Sequence, residues 1–412
     1  ASAEPIAIVG LAATLPGCVD ADALWDLLAS GREAIGERPP GRRLGEAVWK
    51  GGWLDEATVS GFDHDFFSIS PREAAFMDPQ GRLLLQCAWH ALEDAAIAPS
   101  SLAGTGAGVF IGAGAQEYAA RHVYPNPADA YAIAVAGTFL ANRLSYALDA
   151  RGPSETVDTA CSASLVALDR ALSALRSGRC PVAVVGGVNL LMSERSLASL
   201  KLAGALSAQG RCRTFSADAD GFVRGEGVVC FVLKPLSAAR RDGDRVHGVI
   251  LASSVNHGGR AQGPTAPNPE AQAAVIAEAW RASGADPTRC TYIEAHGTGT
   301  RLGDPVEIDG LKSAFKRLTA GRTASIAVGA VKPTIGHLEP AAGLAGVLKV
   351  LLAMRHGRLP ATPGLDTPNP LINLTGSPFR LLSAAEERPA ADGQWKRLAG
   401  VSSFGIGGTN AH

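Results

Sequence analysis

The chain has 412 residues, 46% hydrophobic and 19% charged, and exceeds the ~250–300 residues at which one hydrophobic core stops growing, so two subdomains or an internally duplicated fold are expected. Its 38 basic and 39 acidic residues give a net charge of −1, which removes the electrostatic case for nucleic acid as a partner. Apolar runs fall short of the ~20 residues of a membrane span, ASAEPIAIVG lacks the pattern of a secretory signal, and seven scattered cysteines without a C-x-x-C pair argue against a disulfide framework or structural zinc; a reducing cytoplasm is the expected setting.

In chain order, the β-branched runs at 6–10 (IAIVG), 108–112 (GVFIG), 182–187 (VAVVGG), 227–233 (GVVCFVL), 292–295 (YIEA) and 326–331 (IAVGAV) alternate with Ala/Leu-rich stretches. Runs this apolar, interleaved with helices, predict buried strands in an α/β fold. Val157-Asp158-Thr159 reads as the end of another strand. Leu165, Leu168, Leu172 and Leu175 then predict an amphipathic helix from Ser162 to about Arg176. Cys161 stands at its N-terminus, where unpaired N–H groups and the macrodipole are expected to lower the thiol pKa from ~8.5. The competing explanation is packing, since free cysteine behaves as a small hydrophobe. The polar segment 234–245 (KPLSAARRDGDR) is the best boundary between two halves. A loose echo follows it, because IAVGAV ends at Val331 and a second helix begins near Pro340, again with reactive side chains on the connecting turn. The final Asn410-Ala411-His412, and Ala1 in place of Met, suggest a piece of a longer polypeptide.

Two histidines have unusual settings. His296 ends an apolar strand and opens a Gly/Thr loop, where Gly297 and Gly299 are expected to admit a ligand and Thr298 and Thr300 offer hydroxyls to an amide-rich chain. His337 shares a strand–helix turn with Lys332. One thiol and two imidazoles suit acyl transfer followed by carbon–carbon bond formation, in which the imidazoles stabilise an enolate oxygen left by decarboxylation. A Cys-His hydrolase would instead need one histidine with an Asn or Asp orienter. The glycine-rich 104–108 and HGTGT lack the patterns of nucleotide loops.

The motifs DTACSASLVAL, EAHGTGT, VKPTIGHLEPAAG and SSFGIGGTNAH resemble, in this order, the signature segments of β-ketoacyl synthases, particularly ketosynthase domains of modular polyketide synthases. EPIAIVG, FFSISPREAAFMDPQGRLLLQ and FSADADGFVRGEGV extend the likeness to nearly the whole chain. The resemblance implies an α/β thiolase fold, two similar halves (1–237 with the nucleophile, 238–412 with both histidines) forming a five-layer αβαβα sandwich, usually a homodimer. It also implies an acyltransferase activity: decarboxylative Claisen condensation between an acyl group on Cys161 and a malonyl-type thioester on an acyl carrier protein, extending a polyketide chain. The alternative is a non-elongating module that binds the carrier and scaffolds an assembly line.

Carried over by position, Cys161 is the nucleophile, His296 and His337 support decarboxylation and condensation, Lys332 orders the site, and Glu307 is its charge partner. Thr298 and Thr300 meet the phosphopantetheine arm, the N–H groups of Cys161 and Ile406 form the oxyanion hole, and Phe404 lines the same loop. The domain itself is expected to bind no cofactor and no metal, its substrates riding on carrier phosphopantetheine, and to belong to a larger multidomain synthase in the cytoplasm, without nucleic-acid or membrane partners. Three positions depart from the pattern: Pro333 and Thr334 where KSNIGH is typical, and Ile406 where Phe is frequent. The stretch NHGGRAQGPTAPNPEAQ is closer to the type found in synthases served by a separate acyltransferase, and leaves that choice open. Degradative thiolase chemistry would use a second catalytic cysteine, which GIGGTNAH lacks.

Overall fold

The computed structural model describes residues 3–42, 50–114, 117–123, 134–320, 325–387 and 397–412. A six-stranded sheet is built from β1 (Ile6–Thr14), β2 (Gly108–Gly112), β3 (Ser154–Val157), β4 (Ala183–Asn189), β5 (Gly227–Pro235) and β6 (Gly248–Ile250), in the order β3-β2-β4-β5-β1-β6. β2 runs parallel to β3 and β4, and β5 lies antiparallel between β4 and β1. After β7 (Val255–His257), a second sheet of four parallel strands forms from β8 (Cys290–Glu294), β9 (Ile326–Gly329), β10 (Phe379–Leu381) and β11 (Leu398–Val401), in the order β10-β9-β8-β11. The C-terminal β12 (Ser403–Phe404) and β13 (Thr409–Ala411) close a small antiparallel sheet on β7.

The period-2 alternation of strand side chains sorts the core into layers. Val109 and Ile111 face one buried cluster with Leu84 and Ala88 of α1 (Pro79–Asp94). Phe110, between them, faces the opposite cluster, which holds Leu168 and Leu172 of α2 (Ala163–Arg176). In the second sheet Ile293 and Val328 pack with Ile276 of α3 (Pro269–Ser283) and Leu311 and Phe315 of α4 (Gly303–Thr319). Tyr292 and Ala327 turn the other way, into the cluster of α2 and of Leu344 and Leu348 from α6, which spans Ala342–His356 and follows the one-turn α5 (Lys332–Ile335). Two sheets with a helical layer between them and one outside each make five layers, the αβαβα arrangement the resemblance implies. Gly10 lets the first outer layer close, because a Cβ there would meet the Ala91 carbonyl oxygen at 2.2 Å.

The predicted helix at 162–176 is Ala163–Arg176, with Ser162 as its cap residue. The second predicted helix opens with a 3-10 turn at Glu339–Ala341 and becomes α-helical at Ala342. Segment 234–245 contains a short helix, Leu236–Asp242, and Lys234 pairs with Asp242 and Asp244 at 2.6 and 2.5 Å. Beyond it, β6 returns to pair antiparallel with β1. Among the described residues no helix is long and apolar enough to cross a membrane. Cys161, His296 and Lys332 all lie within four residues of the carboxyl ends of parallel strands, the place where open α/β sheets bind ligands.

Candidate active site

The first of three converging turns runs from β3 to α2. Asp158 Oδ1 accepts from the Ala160 N–H at 3.0 Å, and Ser162 Oγ donates to the Thr159 carbonyl at 2.9 Å. Ala160 takes a left-handed φ of 53°, a conformation costing a non-glycine residue ~1–2 kcal/mol. The tight bend presents Cys161 just ahead of α2. Ser403 Oγ, from β12, donates to the Cys161 carbonyl at 2.7 Å and ties this turn to the C-terminal loop.

The second turn leaves β8. The His296 and Gly297 N–H groups donate to the two oxygens of Glu307 at 2.7 and 2.8 Å. Asp304, three residues earlier on α4, accepts from Gly299 at 3.1 Å and from Phe215 at 2.7 Å. Two carboxylates at i, i+3 on one helix face therefore hold the whole HGTGT loop. Burial pushes both up to about 7, against the hydrogen bonds that favour the charged forms. The loop glycines have a different purpose from the one expected. A Cβ on Gly297 would sit 2.7 Å from Thr214 Cγ2 and one on Gly299 would sit 2.9 Å from the Arg213 nitrogen, so they admit the 213–214 segment rather than a ligand.

The third turn follows β9. Lys332 is buried and its ammonium donates to the His296 carbonyl oxygen. No ion pair joins Lys332 to Glu307, whose carboxylate is engaged by the loop; the two act on each other through their fields. Burial lowers the Lys332 pKa, while Glu294 and Glu307 oppose the shift. Pro333 falls in the first turn of α5, where a missing N–H costs little, and the departure from KSNIGH leaves His337 in place. The His337 N–H donates to Val223 at 2.7 Å, and its carbonyl accepts from Gly225 at 2.8 Å. The Glu339 N–H donates to His337 Nδ1 at 3.0 Å. With Nδ1 accepting, the proton of the neutral ring lies on Nε2, which is buried without a protein partner. Glu339 itself forms a close ion pair with Arg224.

These turns bring Cys161, His296, His337, Thr298, Thr300, Glu307, Phe404 and Ile406 onto one cavity of about 850 Å³. The two imidazole rings lie 5.4 Å apart, nearly perpendicular, and Phe404 is 5.7 Å from His296. Burial holds both imidazoles well below 6.5, and the nearby Lys332 cation lowers them further, so both are neutral. Lys332 lies behind the cavity wall, beneath His296.

Cys161 departs from its expected ionisation. Dense packing and the Glu339 charge push its thiol up to about 12, against the opposing influence of Lys332 and of the N–H groups of Ile406 and Cys161. α2 starts only at Ala163, and desolvation outweighs its positive end. Cys161 is therefore stored as a thiol. Its alkylation by iodoacetamide is expected to rise about tenfold per pH unit between pH 6 and 9. A plateau near pH 7 would contradict this.

Several supporting residues lie outside the set expected from the sequence. Asp304 is detectable as the partner of Glu307 in the i, i+3 spacing of DPVE, and Glu339 stands two residues after His337. Glu294 leaves no comparable signal. It accepts from the Val331 N–H at 2.6 Å and pairs with the fully buried Lys349 at 2.9 Å, fixing the start of the third turn from beneath. Lys349→Met leaves that buried carboxylate without its ion-pair partner, still hydrogen-bonded by the Val331 N–H and the Tyr292 hydroxyl, and is expected to cost about 3–5 kcal/mol in chemical denaturation, with Glu294→Gln recovering much of the loss in the double variant.

A stored thiol and two neutral ring donors on one cavity can accept an acyl group and stabilise an oxyanion. Comparison with known proteins gives the family. Residues 3–239 match the family "Beta-ketoacyl synthase, N-terminal domain" and residues 247–366 match "Beta-ketoacyl synthase, C-terminal domain". The chain is 46% identical to polyketide synthase PksN of Bacillus subtilis and 46% identical to polyketide synthase ThaG of Burkholderia thailandensis, in both cases over 100% of its length. It spans only 8% of each of those two proteins. An oxazolomycin ketosynthase domain from Streptomyces albus superposes with a TM-score of 0.92 at 41% identity, covering 99% of this chain and 74% of that one. The ketosynthase from module 6 of the Bacillus subtilis bacillaene synthase gives 0.91 at 38%, covering 99% and 71%.

Proposed function

Because this chain belongs to the β-ketoacyl synthase family as a polyketide-synthase ketosynthase domain, we propose that it extends acyl chains by decarboxylative Claisen condensation. Cys161 attacks an incoming acyl thioester, and its proton ends on the departing carrier thiol as the new acyl–sulfur bond forms. The N–H groups of Cys161 and Ile406, both on the cavity wall, take the oxygen of that acyl group. A malonyl-type thioester then enters. Loss of CO₂ leaves an enolate, whose oxygen receives hydrogen bonds from His337 Nε2–H and from His296. The enolate carbon attacks the acyl carbon, the bond to Cys161 breaks, and the thiolate takes up one proton. No strong base is needed, because decarboxylation itself supplies the carbanion.

The observation that carries this reading is that Cys161, His296 and His337, brought from three remote turns, share one cavity. Intact-protein mass spectrometry tests it. Incubation with an acyl thioester is expected to add one acyl group at Cys161, and a malonyl-type carrier thioester is expected to release CO₂. An unlabelled cysteine would overturn the reading; carrier binding without CO₂ release would indicate a scaffold instead.

Thr298 and Thr300, whose hydroxyl oxygens lie 3.3 Å apart on the cavity wall, suit the amide-rich phosphopantetheine arm of an acyl carrier protein. The short fraction of the relatives that the chain covers supports a place inside a larger synthase. In our reading the two halves divide at 237/238, the setting is cytoplasmic, and two copies pair. Support for pairing comes from β3, one of the two edge strands of the six-stranded sheet, whose backbone suits a second copy of itself. Light scattering is expected to give twice the chain's 42.3 kDa, and a monomer at micromolar concentration would refute pairing.

A further inference from the structure

One buried side chain at the cavity has no role in the chemistry above, and its oxygen has no partner among the described residues. Gln272, at the end of the first turn of α3, is 2% exposed and borders the cavity of Cys161, Thr298 and Thr300. Its Oε1 is buried without a hydrogen-bond partner. The nearby amides are engaged. Asn268 caps α3 and donates to the Gly258 carbonyl at 2.7 Å; Asn256 donates to the Ala271 carbonyl at 2.8 Å and accepts from Asn410 at 3.0 Å. The seat of Gln272 is also shaped for it. Gly310, on α4 one turn past Glu307, leaves room for the amide, since a Cβ there would lie 3.2 Å from Gln272 Cβ and 3.3 Å from its Oε1.

A buried amide oxygen without a partner is costly, and such groups in folded proteins call for an explanation. A ligand that brings the missing partner provides one. We propose that Gln272 is a positioning residue that pairs with a secondary amide of the pantetheine arm carrying the acyl thioester. This rests on the condensing reading above. A secondary amide offers an N–H to Oε1, the buried atom left unpartnered; a hydrocarbon acyl chain has no donor to offer. Thr298 and Thr300 supply hydroxyls to the same cavity, so three polar side chains with short reach face an otherwise flexible arm.

The test is a double-mutant cycle between protein and ligand. Acylation of Cys161 is measured for wild type and for the near-isosteric Gln272→Met, with acyl pantetheine thioesters in which each amide is replaced in turn by an ester, N–H becoming O. For one of the two amides, wild type is expected to lose about tenfold in kcat/KM on replacement, through KM. Gln272→Met is expected to show the same loss with the unmodified arm, to be indifferent to that replacement, and to keep its kcat. Losses that simply multiply would overturn the proposal, as would an equal effect on an S-propyl thioester that has no amide. If Gln272→Met does not fold, Gln272→Asn enters the same cycle, since it keeps the amide but withdraws it by one methylene. Failure of every thioester to acylate wild type would sink the condensing reading; acylation without coupling would sink this inference alone.

Discussion

Cys161→Ala is expected to lower condensation by at least about 10⁴-fold while sparing decarboxylation. The reason is a division of labour within one cavity. The sulfur of Cys161 is the covalent acceptor, and no other cysteine can replace it, because Cys18, Cys87, Cys180, Cys212, Cys230 and Cys290 are buried away from the cavity. The enolate-stabilising groups sit on other turns. The contact that ties the Cys161 turn to β12 uses its carbonyl, which alanine retains, so the turn should keep its shape. Condensed product and released CO₂ are measured separately on a malonyl-type carrier thioester. Loss of both would mean that the sulfur participates in decarboxylation. Condensation above about one part in a hundred would mean that another nucleophile accepts the acyl group.

What is legible in the sequence follows from how local each signal is. Strand runs such as 108–112 can be read because both faces of the strand are buried and every residue is apolar or small. The helix after Cys161 can be read because its leucines recur at helical spacing over fourteen residues. The Gly/Thr loop after His296 is recognisable, but its glycines point to a ligand only until the fold shows their real neighbours, Arg213 and Thr214, more than eighty residues earlier in the chain. The expected thiolate fails for a related reason. Helix position is a local property, whereas desolvation and the charge of Glu339 arrive from segments that sequence spacing does not reveal. Glu294 and Lys349 belong to the same class, since a glutamate at a strand end and a lysine in an apolar helix look unremarkable until the fold sets them 2.9 Å apart. Glu307 is expected at the site and is found there, yet its partners are backbone N–H groups, which leave no mark in a sequence.

His337→Ala is expected to slow CO₂ release by about 10²–10³-fold while leaving acylation of Cys161 within about tenfold of wild type, because one lost oxyanion donor is worth ~2.7–4 kcal/mol. The direction of the donor is set by the backbone. The Glu339 N–H occupies Nδ1, so the proton on Nε2 has one orientation available, and no protein group competes for it. His337→Gln can place an amide N–H in roughly the same space but lacks the fixed tautomer, and is expected to recover part of the loss. The neutral state also predicts the pH profile. Burial and Lys332 hold His296 and His337 well below 6.5, so neither gains a proton as pH falls from 8 to 6, and the ring NMR shifts of both should stay flat across that window. Were the rings ordinary histidines, those shifts would titrate near pH 6.5. Replacing Lys332 by Met removes a cation that depresses both rings, so the low-pH limb of the profile should move upward. A profile already bending at 6.5 in wild type, or one unmoved by Lys332→Met, would show that these imidazoles are not the buried neutral donors the cavity geometry requires.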